Sequence, residues 1–216
     1  MELPLFPLNT VLFPGATLPL HIFEERYKQM IGRCREESSP FGVLLIRSGV
    51  AVGGPAEPHE VGTTARIAES QELEEGKLNI ICLGERRFRL LRASAELPYL
   101  TGEVELLEST DAGGEPVQEL ADTVAALFAE CSRLYLAVSN QWTRQIGMPG
   151  GPDRLADFVA ARLQTDNTAR QRLLEELSVR RRLELEVDTL SDAIRQMTPK
   201  VTASRARRWR TLGALN

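Results

Sequence analysis

Four arginines frame Phe88 in the stretch GERRFRLLR, at Arg86, Arg87, Arg89 and Arg92. Guanidinium groups bind carboxylates and phosphates through paired hydrogen bonds, so this strand-like stretch could contact an anion or a polypeptide. Alternation along a strand also fits a plainer structure, with Phe88 and Leu90 facing a core and Arg87 and Arg89 on a solvated basic face. Both interpretations stay open, and the candidate binding residues here are Arg86, Arg87 and Arg89.

A second basic cluster lies at the end of the chain, in KVTASRARRWRTLGALN. It contains five basic residues and no acidic one, with Trp209 among them. Basic residues interleaved with an aromatic ring are typical of an arm that binds nucleic acid or an acidic partner. A flexible solubilising terminus has the same composition, so Trp209 is a candidate binding residue and no more.

Catalytic motifs are absent from the sequence. A phosphate cradle needs GxxxxGK[ST], but the one Gly-Lys pair, Gly76-Lys77, is followed by Leu78 and predicts a hairpin turn. GxSxG and HExxH are also missing, and the two histidines, His21 and His59, stand far apart. Paired carboxylates in ELEEG and LLEEL are typical of solvated turns and helix surfaces. We therefore predict no catalytic residue, no cofactor, no metal site and no enzyme activity.

Cysteine usage and charge limit the environment. Cys34, Cys82 and Cys131 form no CxxC pair, which predicts buried core thiols in a reducing compartment. A net charge of -4 gives no general attraction to nucleic acid or anionic membranes. The opening lacks a basic segment followed by an uninterrupted apolar run, and no later run approaches the ~18 residues that span a bilayer. These features predict cytoplasmic residence without membrane contact.

Periodicity in the first half predicts a mostly antiparallel sheet with one helix. Pro14-Gly15 predicts a tight turn between two opening strands, which would pair as a hairpin. Apolar residues at Tyr27, Met30, Ile31 and Cys34 predict one face of a short helix. Strands are expected from FGVLLIRS, VGTTARIAESQEL, KLNIICLGERRFRLLRASAEL and LPYLTGEVELLES, with GVAVGGPAEPHEVG as a loop.

Near DAGGEP the period changes from two to about 3.6 residues. Four helices are expected beyond it, the third capped by Asp166 or Thr168 and the last ending at Met197. The sequence thus predicts an α+β fold, with a β-rich subdomain at 1–112, a helical bundle at 113–199 and a basic tail at 200–216.

The opening LPLFPLNTVLFPGATLPLHIFEERY resembles the start of the Lon amino-terminal domain family. FGVLLI, EVGTTARI and GERRFRL follow in the family's order, and LADFVAARL and RQRLLEELSVRRRLELEVDTL are similar to its helical part. The resemblance covers roughly Glu2 to Met197 and implies a PUA-like, six-stranded-type β subdomain followed by helices. Matching positions are expected to form the fold: Pro4, Leu5, Pro14, Gly15, Leu20, Phe23, Tyr27, Gly62, Arg66 and Phe88.

The same resemblance implies recognition of substrate polypeptide and supplies no catalytic residue within this domain. Because the chain contains neither an ATPase nor a Ser-Lys peptidase module, it resembles the stand-alone bacterial members of the family. The leading hypothesis is a non-catalytic module that binds unfolded or extended polypeptide. Alternatives are an RNA-binding PUA-like protein, although nucleic acid is the less favoured partner, and an adaptor that docks onto a protease or chaperone.

Overall fold

The computed structural model describes residues 1–49, 56–138 and 147–213, with side chains described for 1–49, 57–137 and 147–202. The chain forms two compact units, one of Met1–Thr110 with Ala160–Leu177 and one of Asp111–Val159 with Ser178–Asn216. Strands occupy the first part of the chain and helices follow, so the α+β prediction is confirmed.

The described elements follow one another as β1 (Glu2–Leu8), β2 (Thr17–Ile22), α1 (Glu25–Glu36), β3 (Phe41–Gly49), β4 (Ala56–Pro58), β5 (Val61–Glu72), β6 (Leu78–Ser94), β7 (Thr101–Leu106), α2 (Glu115–Val138), α3 (Pro152–Ala160), α4 (Asn167–Glu175) and α5 (Val179–Gly213). A single 3-10 turn at Glu74–Gly76 joins β5 to β6, as the sequence predicted.

Five strands of the first unit close on themselves in the order β1, β7, β6, β5, β3. All of these pairs are antiparallel except the closing one, where β1 runs parallel to β3 with Leu5 opposite Gly42. β4 pairs antiparallel with the second half of β3, and β2 pairs antiparallel with β6. The predicted opening hairpin is therefore wrong, because β1 and β2 take their partners from distant strands instead of from each other.

Two apolar clusters hold the first unit together. One, made by Leu3, Leu5, Leu44, Phe88 and Val104, joins β1, β3, β6 and β7. In the other cluster, α1 packs against the sheet. The buried residues of this helix are the predicted ones, Tyr27, Met30, Ile31 and Cys34, so the predicted apolar face is confirmed. Burial of such side chains is the main favourable term in folding.

Helix α4 belongs to the same compact unit as the strands, although the sequence analysis grouped it with the helical bundle. Asp166 caps its first turn by accepting a hydrogen bond from the Ala169 amide at 2.8 Å. The buried side chain of Gln171 donates to the Val61 carbonyl at 2.9 Å, which ties the helix to β5. The proposed division at 112 and 199 stays a prediction about which segments fold independently.

The second unit contains α2, α3 and α5, with Phe128 and Phe158 in edge-to-face contact at 5.8 Å. Arg182 on α5 is fully buried and forms ion pairs with Asp153, at 2.6 Å, and with Asp157. α5 continues to Gly213, well past the predicted end at Met197, and Val201 is buried. None of the described helices is both long enough and apolar enough to cross a lipid bilayer.

Candidate functional site

The exposed arginines of the predicted basic strand are paired with carboxylates on neighbouring segments. Arg86 forms an ion pair with Glu108, and Arg89 approaches Glu105 of β7 at 3.9 Å. Exposed pairs of this kind contribute little to stability and exchange readily with other charged partners. Arg86 and Arg89 thus remain accessible on the surface of β6.

Arg87 is different, since only 4% of it is exposed. Its Nε atom donates a hydrogen bond to the Leu174 carbonyl at 3.0 Å. The expectation that Arg87 lies on a solvated basic face is wrong, because α4 covers this part of the sheet. Strand periodicity could not have shown this, since it indicates which residues share a face and not what covers that face.

Of the other residues weighed in the sequence, His21 and His59 have separate partners. Trp209 lies on α5, but its side chain is outside the described residues. His21 is joined to Asn79 by a hydrogen bond of 2.8 Å, whereas His59 lies 3.4 Å from Glu175. Within the described residues no three His, Cys, Asp or Glu side chains are grouped so that they could hold a metal ion.

A surface that the sequence analysis did not single out lies where β2, β6 and β5 run side by side. Their registers place Pro19 opposite Ile81 and Ile81 opposite Glu69, while His21 faces Asn79 and Asn79 faces Gln71. Because side chains alternate along a strand, these residues project from one side of the sheet. We call this surface the outer face; its side chains are Thr17, Pro19, His21, Glu69, Gln71, Asn79, Ile81 and Leu83, with Arg66 opposite Leu83 at one end.

All of the outer face except Thr17, Leu83 and Arg66 lines an open groove of about 500 Å³ with mixed chemistry. Ile81 is 37% exposed, and Phe23, which follows β2 and stacks on His21 with ring centroids 5.9 Å apart, is 46% exposed. Exposed apolar side chains rimmed by polar ones are typical of binding surfaces. The amides of Asn79 and Gln71 lie beside them and provide hydrogen-bonding groups for a backbone.

The opposite side of the same three strands belongs to the hydrophobic core. Leu18 and Leu20 of β2 pack there with Ile80 and Cys82 against α1. Burial, with a smaller contribution from neighbouring Cys34, raises the pKa of the Cys82 thiol to about 12. This side therefore offers no thiolate at neutral pH.

The edge of β2 that faces away from β6 pairs with none of the described strands, and this free edge is poorly suited to receiving another strand. The amide of Gly84 donates to the Ala16 carbonyl at 2.9 Å and the Gly84 carbonyl accepts from the Gly15 amide at 2.8 Å, so the bonded position of the ladder lies at Gly84. Since bonded and non-bonded pairs alternate in an antiparallel ladder, Thr17, Pro19 and His21 turn their backbone groups away from β6. Pro19 has no N–H, so the outward edge lacks a donor at its centre.

One sequence feature could have located this surface. In NIICLG two isoleucines are adjacent, so a strand that buries Ile80 must turn Ile81 outward. The predicted strand is present, but an outward Ile81 indicates a binding surface only because Pro19 of β2 lies beside it. Pairing of residues 62 positions apart is not readable from local periodicity.

The family model described as the ATP-dependent protease La (LON) substrate-binding domain matches residues 2–192. The chain belongs to this family. The match covers nearly all of the first unit and the second unit as far as residue 192, and it includes the whole of the outer face.

Among curated relatives, the Lon protease of Anaeromyxobacter dehalogenans is 28% identical over 192 residues, which cover 88% of this chain and 23% of that protein. Lon protease 2 of Myxococcus xanthus has the same identity and coverage. The chain thus spans about a quarter of the length of these relatives.

Solved structures show the same fold. A Lon N-terminal domain protein from Xanthomonas campestris is 32% identical, with a TM-score of 0.64 over 85% of this chain and 95% of that one. The N-terminal domain of a Mycobacterium avium complex Lon protease has the same TM-score at 20% identity, covering 89% of this chain and 99% of the other. The second likeness concerns the fold alone.

Proposed function

We propose that this chain binds unfolded or extended polypeptide, weakly and reversibly, and performs no catalysis itself. The observation that carries the proposal is the outer face, an exposed groove with apolar and amide side chains in a chain of the Lon substrate-binding family. A cytoplasmic location is part of the same proposal. Arg86 and Arg89, being exposed, are secondary contacts for acidic segments, whereas Arg87 is engaged in the interior.

The groove limits the affinity. Four apolar side chains border it or lie beside it: Pro19, Phe23, Ile81 and Leu83. Burying four apolar side chains of an unfolded client against them would contribute roughly 6 to 12 kcal/mol at ~1.5 to 3 each. Association and ordering cost at least ~4 kcal/mol, which leaves dissociation constants of roughly micromolar or weaker. Such values suit a domain that samples many clients.

The direct test is a titration of the full chain into fluorescently labelled unfolded casein, with a folded protein of similar size and charge as the control. Saturable anisotropy change with casein alone is the expected result. Absence of binding up to about a hundred micromolar would contradict the proposal and favour docking onto a protease or chaperone instead. Incubation with casein and ATP should leave casein intact on a gel; cleavage lost on mutating one residue of this chain would contradict the non-catalytic part.

A further inference from the structure

The outer face carries an uneven charge. Glu69 projects beside Ile81, and within the described residues no lysine or arginine forms an ion pair with it. The neighbouring charges are matched, since Arg66 pairs with Glu85 at 2.9 Å and Arg35 pairs with Glu72 at 3.0 Å. Of the described residues that line the groove, none is a lysine or an arginine. Among these lining residues the one formal charge is the carboxylate of Glu69, whereas Arg66, opposite Leu83 at the end of the outer face, is the residue paired with Glu85.

This carboxylate lies next to an exposed apolar side chain of the face, that of Ile81. Ile81 and Glu69 are directly opposite each other on antiparallel strands, so their Cβ atoms lie within ~5.5 Å. On an extended peptide, side chains two residues apart project to the same side. A peptide with an apolar residue over Ile81 can therefore bring a basic residue two positions away to Glu69.

The mode of contact follows from Pro19. Because the free edge of β2 lacks a donor at that residue, a chain adding there as another strand would leave its own carbonyl unpaired. The face has no such defect, and the amides of Asn79 and Gln71 can bond a backbone lying across it. Contact through the face is favoured over extension of the sheet.

We propose that the outer face of β2, β6 and β5 selects extended polypeptide segments in which an apolar side chain is followed two residues later by lysine or arginine. The apolar side chain covers Ile81 and Pro19, and the basic one pairs with Glu69. This inference rests on the proposed function and specifies which clients that function takes. Lysine and arginine side chains suit the position because their long stems reach a carboxylate while covering apolar surface.

The experiment uses the full chain and short labelled peptides with a central Phe-Ser-Lys, Phe-Ser-Gln or Ser-Ser-Lys in a common serine and glycine background. We expect Phe-Ser-Lys to bind about tenfold more tightly than Ser-Ser-Lys, because the latter lacks the apolar contact. It should bind about two- to fivefold more tightly than Phe-Ser-Gln, an advantage that falls at high salt.

Two variants locate the contacts. Glu69→Gln should abolish the preference for lysine over glutamine, whereas Glu119→Gln, which removes an equal charge from the exposed surface of α2, should keep it. Ile81→Ser should weaken Phe-Ser-Lys several-fold, whereas Leu91→Ser, at a more exposed leucine elsewhere on β6, should not. All four positions are exposed, so unchanged circular dichroism and thermal midpoints are expected and would be checked first.

The outcomes separate the two proposals. If casein binds but Glu69→Gln retains the preference for lysine, or Ile81→Ser binds the peptide as tightly as the unaltered chain, the assignment to the outer face is overturned and the proposed function stands. If the unaltered chain binds neither casein nor Phe-Ser-Lys, both are overturned.

Discussion

Arg87 and Leu174 are joined by a hydrogen bond of 3.0 Å between residues 87 positions apart, from the Nε atom on β6 to a backbone carbonyl on α4. A buried guanidinium is costly to desolvate unless its donors are satisfied. The carbonyl belongs to the last turn of α4, where helical carbonyls lack partners within the helix. The hydrogen bond thus gives a partner both to a buried guanidinium donor and to a carbonyl at the end of α4. It ties α4 to β6 within the first unit.

Replacement of Arg87 by alanine should therefore lower stability rather than polypeptide affinity. We expect a loss of about 1.5 to 3 kcal/mol in the free energy of unfolding, the range for hydrogen bonds to charged groups. Arg86→Ala is the matched control, since Arg86 is exposed and pairs with Glu108, and its cost should be much smaller. Urea denaturation measures both. Equal stability of the two variants, with casein binding lost only in Arg87→Ala, would instead support Arg87 as a binding residue.

Gly62 marks a place where two strands of the first unit approach too closely for any side chain. A Cβ atom there would lie 2.3 Å from the Val43 carbonyl oxygen and 2.6 Å from a methyl group of Leu44. Gly62→Ala should cost more than about 2 kcal/mol, because backbone and core must shift. The matched control is Gly32→Ala inside α1, where an added Cβ atom would meet nothing within 4 Å outside its own stretch of helix. This replacement should raise the free energy of unfolding by about 0.5 to 1 kcal/mol. Thermal unfolding distinguishes them, and a stable Gly62→Ala would contradict this packing.

The second unit depends on a buried charge. Arg182 is wholly inaccessible, and its partner Asp157 is nearly so. Removing one partner of a buried ion pair leaves the other charge buried and uncompensated, which lowers the free energy of unfolding by about 3 to 5 kcal/mol. Arg182→Ala should show this loss in chemical denaturation. Arg181→Ala, one residue earlier and pairing with Glu184 at 3.0 Å on the exposed side, should change little. Similar effects of both variants would count against a structural role for the buried pair.

Local signals predicted those parts of the fold that depend on neighbours in sequence. The apolar spacing from Tyr27 to Cys34 gave the buried face of α1, and Glu74-Glu75-Gly76 gave the turn between β5 and β6. Asp166 was one of two expected caps and is the one that accepts the amide hydrogen bond. In each case the residues that determine the structure lie within a few positions of one another.

Features that depend on distant partners were missed. Pro14-Gly15 does allow a turn, with Gly15 at φ of 75°, but it does not pair the strands beside it, because β1 finds β3 and β7. The outer face requires β2 to lie against β6, which no periodicity reports. The extension of α5 past Met197 includes Pro199, a residue that normally indicates the end of a helix.

The three cysteines are expected to be unreactive in the folded chain. Cys34, Cys82 and Cys131 are buried, and burial is the main cause that raises the pKa of each thiol. Since the thiolate is the nucleophile, both exclusion of reagent and scarcity of thiolate oppose modification. A thiol assay with Ellman's reagent should detect almost none in the native chain and all three in denaturant. Rapid modification of one thiol without denaturant would show that its part of the core opens.

The raised pKa of the Cys82 thiol also predicts how stability depends on pH. The folded pKa of about 12 exceeds the ordinary value of 9.0, so the unfolded chain loses this proton at lower pH than the folded chain. Stability from this group is present below about pH 9 and is lost progressively as the pH rises toward 12. Burial likewise raises the pKa of the Tyr27 hydroxyl, which adds to the loss of stability at high pH.

In urea unfolding between about pH 8 and 11, Cys82→Ala should lose stability less steeply with pH than the unaltered chain. Comparing slopes within each variant removes the constant cost of the cavity that alanine leaves. An identical slope in both chains would mean that the Cys82 thiol titrates in the folded state near its ordinary pKa.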